Sequence, residues 1–376
     1  MPQSIRKRKK HSPTKMRPAR TSLFHGSNQP FEIYQCKIEP SDVGEVLVKV
    51  NLAAICGSDL HTFTGRRTSP IPCILGHEAV GQVAESTDVT DFNGNTLNEG
   101  DRITWSIVSS CGTCLNCTSY QLPQKCETLS KYGHAQRSLP RDLNGGFAQY
   151  IRLQPGTAIF RLPDSMADSE SVSLNCALST VIAGLNVIDI GDSVVIQGCG
   201  MLGIYATSLL RYYGCGVVAV VDVRSDRLKM AKNFGATHTF NLTEVSPDQI
   251  NDELLALTNQ YGVDLVVEVS GVASAFTDSL DWLRIGGYYL TLGYVYPEAV
   301  TIVPMDKIVR KCLTIHGSHN YHPRFLGDAI EFVQETRHQY SFNLLIGNTY
   351  PLAEIDQAFQ EAIKGNQIRI GLNPWE

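Results

Sequence analysis

No apolar run in this chain is long enough to cross a bilayer, and its N-terminus lacks the apolar stretch a secretory leader requires. A membrane partner and export are therefore not expected, and the expected location is cytoplasmic. Acidic residues are missing altogether from the first twenty positions, which hold eight Lys or Arg. With a net charge of −5 overall, the remainder carries −13. Such a basic stretch, RKRKK at residues 6–10, suits nuclear import or a nucleic acid, but the acidic body argues against a nucleic-acid partner. The expectation for residues 1–20 is a disordered tail, with Met16 as an alternative start. Internal repeats are also absent, which excludes solenoids and propellers. What remains is ordinary for a globular protein, 43% hydrophobic and 18% charged. At 376 residues the chain exceeds what one core usually supports, so two domains are expected. Eleven cysteines without a leader point to metal ligands and buried thiols rather than disulfides.

The first half reads as β-rich. Residues 31–51, FEIYQCKIEPSDVGEVLVKVN, alternate like strands around a turn, and short strands continue through AVGQVAE and GDRITWSI. At Ser193 the pattern changes to strands alternating with helices: SVVIQ, an apolar helix, VVAVVD, then a helix over SDRLKMAKNFG. Continuous apolar strands of this kind indicate a parallel sheet covered on both faces, an α/β fold. Gly198, Gly200 and Gly203 form G-x-G-x-x-G between SVVIQ and the next helix, where a tight turn lets backbone approach a pyrophosphate. Asp222 follows at a strand end, placed to accept from both ribose hydroxyls. It would repel a 2′-phosphate, so NAD is expected over NADP. Arg224 is the counter-signal.

Two sets of metal-binding side chains stand apart. Cys111, Cys114, Cys117 and Cys126 follow C-x2-C-x2-C-x8-C, four thiolates that would close a tetrahedral shell around a structural zinc. An iron–sulfur cluster or a disulfide pair fits less well. Earlier, CGSDLHTFTGRRTSPIPCILGHE (residues 56–78) carries Cys56, Ser58, Asp59 and His61, then His77 and Glu78. A thiolate and a neutral imidazole are donors a catalytic zinc prefers. Cys176 in SLNCALST is the best candidate for a third, leaving one position open. An alcohol bound there would lose its proton near neutral pH. Cys36, Cys73, Cys199, Cys215 and Cys312 read as buried small hydrophobes.

With CGSDLH, GHEAVGQV, GDRI, the four-cysteine loop, GCGMLG and the strand-end Asp222 in this order, the chain resembles the zinc-dependent medium-chain alcohol dehydrogenases. The resemblance runs from about Thr21 to the C-terminus. It implies a GroES-like, β-rich catalytic domain built from residues 21–177 and 319–376, with a Rossmann doubly wound domain over 178–318. It implies two zinc ions per chain, a catalytic one on Cys56, His77 and Cys176 and a structural one on the four-cysteine loop. Glu78 would be a nearby or transient ligand and Asp59 would orient His77. Ser58 would accept the substrate proton and pass it through the cofactor ribose to His61. Gly198, Gly200, Gly203, Asp222 and Arg227 would hold NAD, and Arg369 would meet its pyrophosphate. A homo-oligomer, dimer or tetramer, is usual in the family. The final cysteine gap is eight residues where the common pattern has seven, so that loop should bulge.

For the substrate, the resemblance places Arg66 and Arg67 near the pocket, where alcohol-oxidising members often carry apolar side chains. Lys131, Tyr132 and His134 follow the cysteine loop, and His319, His322 and Arg324 lie near the return to the catalytic domain. Arg66, Arg67 and His134 are the candidate substrate residues, and guanidinium groups suit an anion. PQKCETLSKYGH and KYGHAQ also look like the phosphonate-catabolism-associated branch. The expected substrate is a small primary or secondary alcohol bearing a phosphonate or another anion. The alternatives are a threonine- or polyol-type zinc dehydrogenase, although polyol types use Glu where Cys176 stands. From another class comes a non-enzymatic zinc protein binding nucleic acid.

Overall fold

A computed structural model describes residues 17–137 and 143–376; the basic stretch at residues 6–10 lies outside them. The chain opens with an antiparallel pair, β1 (Arg17–Leu23) and β2 (Glu32–Ile38). Residues 17–20, assigned by composition to the tail, are therefore part of the fold. Ala19 and Leu23 are buried, whereas Arg17 is exposed and Arg20 half-buried.

The first body is a curled eight-stranded sheet. It contains β3 (Val46–Ala54), β4 (Glu78–Ser86), β5 (Arg102–Ser109), β6 (Ser130–Lys131), β7 (Tyr150–Leu153) and β8 (Thr157–Arg161). The second body is a parallel sheet of six: β9 (Ser193–Gln197), β10 (Val217–Asp222), β11 (His238–Asn241), β12 (Val263–Glu268), β13 (Leu283–Thr291) and β14 (Thr314–Gly317). The chain then returns to the first sheet with β15 (Ile346–Pro351) and β16 (Arg369–Asn373). β16 pairs with β3 and sets Leu372 against Ala53. The fold is thus α/β, a doubly wound sheet joined to a β-rich body.

Strand order in the parallel sheet is β11-β10-β9-β12-β13-β14. Connections leave β9 first toward one edge and then toward the other, which opens a crevice beyond its C-terminal end. β9 is buried at all five positions, as a central strand covered on both faces must be. The helix Arg324–Thr336 buries Phe325, Leu326, Ala329, Ile330 and Val333 at steps of three and four. Each side chain of leucine size buried this way contributes about 1.5–3 kcal/mol. A single apolar cluster crosses both bodies, with Ala54, Val80 and Phe160 from the first packed together with Ile196, Leu209 and Leu265 from the second. That shared core fixes how the two sheets face each other across the cleft.

Candidate active site

Cys56 begins the short helix Gly57–Phe63, and its N–H donates to Asp59 Oδ2 at 2.9 Å. The same carboxylate accepts from the Gly76 N–H at 3.4 Å and lies 3.4 Å from His77 Nδ1 through Oδ1. One acid thus ties the helix start to the β4 approach and sets two prospective ligands side by side. Sequence distance is bridged because β3 and β4 are antiparallel neighbours, Ala54 facing Glu78. Cys176 arrives on a π-helical turn, Leu174–Leu178, a form of helix that concentrates at functional sites.

The ligand atoms of Cys56, His77, Glu78 and Cys176 all lie within 4.8 Å of one another. Three residues that the sequence did not single out lock this arrangement. The Ser173 hydroxyl donates to Glu78 Oε2 at 2.7 Å, Asn175 Nδ2 donates to the His77 carbonyl at 2.9 Å, and the Tyr321 hydroxyl donates to the Asn175 carbonyl. Ser, Asn and Tyr at such separations carry no spacing signature, so only the folded chain discloses them.

Charge is balanced tightly here. The Cys56 thiol is held well below its usual range: the Cys176 S–H donates to it, and Arg369 and His77 add attraction that offsets burial. For His77, burial opposes charge, but Asp59 and the Cys56 sulfur outweigh it and push the ring up to about 10. Burial pushes Glu78 up to about 7 in spite of Arg369. Arg369 Nε donates to Glu78 Oε2 at 3.3 Å and its Nη2 lies 3.6 Å from Cys56 Sγ. The guanidinium is thus paired with Glu78 beside Cys56 and also lines the cleft. Two sulfurs and an imidazole nitrogen grouped this closely form a donor set that fits zinc, whose binding would displace the protons held on Cys176 and His77. His77 also lies close to Asp59 and His134, but that side is buried, whereas the sulfur side lines the cleft.

The four-cysteine loop passes the same test. Sulfur separations of 3.5 Å for Cys114–Cys117, 3.5 Å for Cys111–Cys126 and 3.9 Å for Cys114–Cys126 stand close to the ~3.8 Å edge of a tetrahedron with 2.3 Å bonds. The Thr113 and Cys114 N–H groups donate to Cys111 Sγ at 3.4 and 3.3 Å, and the Thr113 side chain, together with these two N–H groups, holds that thiol at about 5.

Beyond β9, Gly198 adopts φ +98°, and a Cβ on Gly203 would stand 2.0 Å from the Gly198 carbonyl oxygen. Asp222 accepts from the Cys199 and Arg224 N–H groups at 2.6 and 2.9 Å. Arg224 itself is paired with Asp226 at 2.9 Å. Arg227 Nη2 donates to the Gly365 carbonyl at 2.8 Å, beside the glycine turn. A cavity of about 350 Å³ holds Gly198, Gly200, Asp222 and Arg227. It shares Gly200, Val269, Ser270 and Val272 with a cleft of about 600 Å³ that reaches Cys56, His77 and Cys176.

Ser58, His61, Arg66, Arg67, Lys131 and His319 also line the larger cleft. Ser58 Oγ lies 3.3 Å from His77 Nε2, and the His61 ring lies 5.2 Å from that of Tyr296. His134 does not line it. At 8% exposure its ring sits 5.1 Å from that of His77, on the buried side, so the direct substrate contact expected of it is corrected. β6 turns its chain inward after Lys131, which carries His134 behind the metal site. Cys312 is exposed rather than buried, at φ 52° after the helix Met305–Arg310.

Comparison with known proteins agrees with this geometry. Residues 42–164 match the alcohol dehydrogenase GroES-like domain, and residues 202–335 match the zinc-binding dehydrogenase family. An L-threonine 3-dehydrogenase of Aeromonas salmonicida is 32% identical, over 73% of this chain and 76% of its own. A sorbitol dehydrogenase of Halalkalibacterium halodurans is 30% identical, over 88% and 92%. The crystal structure of an alcohol dehydrogenase from Thermotoga maritima superposes with a TM-score of 0.89 at 27% identity, over 95% of this chain and 99% of its own. The chain belongs to the zinc-dependent medium-chain alcohol dehydrogenase family. It is an oxidoreductase acting on CH–OH groups.

Proposed function

We propose that this enzyme oxidises a small alcohol bearing an anionic group, with NAD as hydride acceptor and two zinc ions per chain. The observation that carries this reading is the adjacency of the two cavities: the one at the glycine turn and the one at the paired sulfurs share the wall formed by Gly200, Val269, Ser270 and Val272. Cys56, His77 and Cys176 would hold the catalytic zinc, which supplies Lewis acidity toward a hydroxyl oxygen. Cys111, Cys114, Cys117 and Cys126 would hold the structural one.

The protein's own residues account for the remaining steps. Asp59 sets the imidazole of His77, and Glu78, paired with Arg369, closes the buried side of the site. Ser58 accepts the substrate proton and passes it on toward His61. Burial lowers the His61 ring below its usual value, with help from Arg66, so that it is neutral and able to accept at physiological pH. Gly198, Gly200 and Gly203 let the dinucleotide approach the backbone, and Asp222 takes the ribose hydroxyls. Arg224 is engaged by Asp226, which supports NAD over NADP.

A homo-oligomer is part of this reading. β14 is an edge strand, and Val300 and Ile302, in the segment joining β13 to it, are exposed apolar side chains. The second reading, a threonine- or polyol-type dehydrogenase, is favoured by the named relatives. An alcohol panel with NAD and NADP, containing hydroxyalkylphosphonates, threonine and polyols, separates the two when combined with zinc analysis. Turnover of threonine or sorbitol in preference to every anionic alcohol would refute the first reading.

A further inference from the structure

The cleft beside Cys56 and Cys176 carries positive charge that its lining does not balance. Among the described residues no Asp or Glu lines it. Of its cations, Arg369 is paired with Glu78, and Arg66 is exposed with its guanidinium carbon 5.6 Å from the Tyr296 ring centre. Arg67 and Lys131 are both half-buried, and among the described residues neither side chain has a hydrogen bond or an ion pair.

They reach the cleft from separate elements. Arg67 follows the helix Gly57–Phe63, its N–H bonded to the His61 carbonyl at 3.0 Å. Lys131 ends β6, paired with Val108 of β5 as the chain leaves the four-cysteine loop. His319 stands at the rim, its Nδ1 2.5 Å from Lys125 Nζ. Burial, together with Lys125, Lys131 and Arg67, pushes the His319 ring down to about 4, so it adds no charge of its own.

Two thiolates and a neutral imidazole cancel the charge of a divalent zinc. Once the metal is bound, the sulfurs offer Lys131 little compensation. A half-buried ammonium and guanidinium with no counter-charge are costly unless a ligand supplies one. We propose that Arg67 and Lys131 form the subsite that receives the acidic group of the alcohol, and that it favours a phosphoryl or phosphonyl dianion over a carboxylate. Two uncompensated formal charges match a dianion, the guanidinium offering a bidentate fork and the ammonium a point charge. This rests on the dehydrogenase reading and refines it: of the expected residues Arg66, Arg67 and His134, recognition of the anion keeps Arg67 and adds Lys131.

The test pairs turnover with binding. Zinc-loaded protein is assayed with NAD on chain-matched neutral, carboxylate, phosphonate and phosphate-ester alcohols, and methylphosphonate binding is measured by calorimetry without turnover. The dianionic alcohols should exceed the neutral one in kcat/KM by about a hundredfold. Arg67→Gln and Lys131→Gln should each cut that ratio about tenfold, mainly through KM, and weaken methylphosphonate about tenfold. Lys131→Arg should keep most of the preference. Equal use of neutral and anionic alcohols by the wild type would overturn the subsite and leave the dehydrogenase standing. A carboxylate used as well as a phosphonate would overturn the dianion assignment. Methylphosphonate binding that the variants lose, in a protein that oxidises no alcohol, would support the subsite and refute the dehydrogenase reading. Unchanged binding in both variants would refute the subsite outright.

Discussion

Removing the Arg369 guanidinium should expose how the buried charges of the metal site depend on one another. Arg369 joins Glu78 and Cys56, and the Glu78 side chain is fully buried. Breaking a buried pair by deleting one partner costs about 3–5 kcal/mol, because the other charge is left without compensation. In a chain of this size that is a fall in melting temperature of about 4–6 °C for Arg369→Met. The double variant Glu78→Gln with Arg369→Met should recover at least half of it, since no lone charge remains. The loss also has a pH signature in chelator-treated protein. The folded pKa of Glu78, about 7, stands above its usual value of 4.5, so the native state holds the extra proton between them. Stability from this group is therefore present at low pH and declines as pH rises from 4.5 through 7. Arg369 lowers both Glu78 and Cys56, so its removal raises both and extends the decline upward. The difference between variant and wild type should widen from pH 5.5 to 8.5 in calorimetric scans. A difference that is flat with pH, or a double variant no more stable than the single, would refute this account of the site.

Three further outcomes follow from the geometry. Cys111→Ser should lower metal content by one equivalent per chain and reduce the melting temperature, while mass spectrometry under native conditions still finds the other ion; two ions retained would sink the structural-zinc assignment. Asp222→Gly should raise the KM for NAD about tenfold or more and narrow its advantage over NADP, read from initial rates with each cofactor; unchanged cofactor constants would count against its ribose role. Arg66→Ala should move the acidic limb of the kcat/KM profile to higher pH. Arg66 holds the His61 pKa down, and a proton on that ring blocks its acceptor role as pH falls. A limb that stays in place would remove His61 from the relay.

The family and the class of fold were legible in the residues because their signals are local. A glycine turn between a buried strand and a helix, or four thiols within sixteen positions, needs only neighbouring chain to be recognised. The alternation at Ser193 announced the parallel sheet for the same reason: strand and helix periods are properties of short segments. Ala19 shows the limit, because a basic composition concealed a strand that exists only through its pairing with β2.

What the tertiary structure alone decided is which side chains share a space. Arg66 and Arg67 are adjacent in sequence and both line the cleft, yet one lies exposed over Tyr296 while the other is half-buried, its side chain without a hydrogen bond or ion pair among the described residues. Lys131 and His134 are separated by a single turn, yet β6 leaves the first in the cleft and sends the second behind His77. Arg369 meets Glu78 across 291 residues because β16 returns to the sheet that carries β4. Residue type sets what a group can do, and local pattern sets the element it rides on. Burial and opposing charge depend on distant strands, and those come together only when the chain closes on itself.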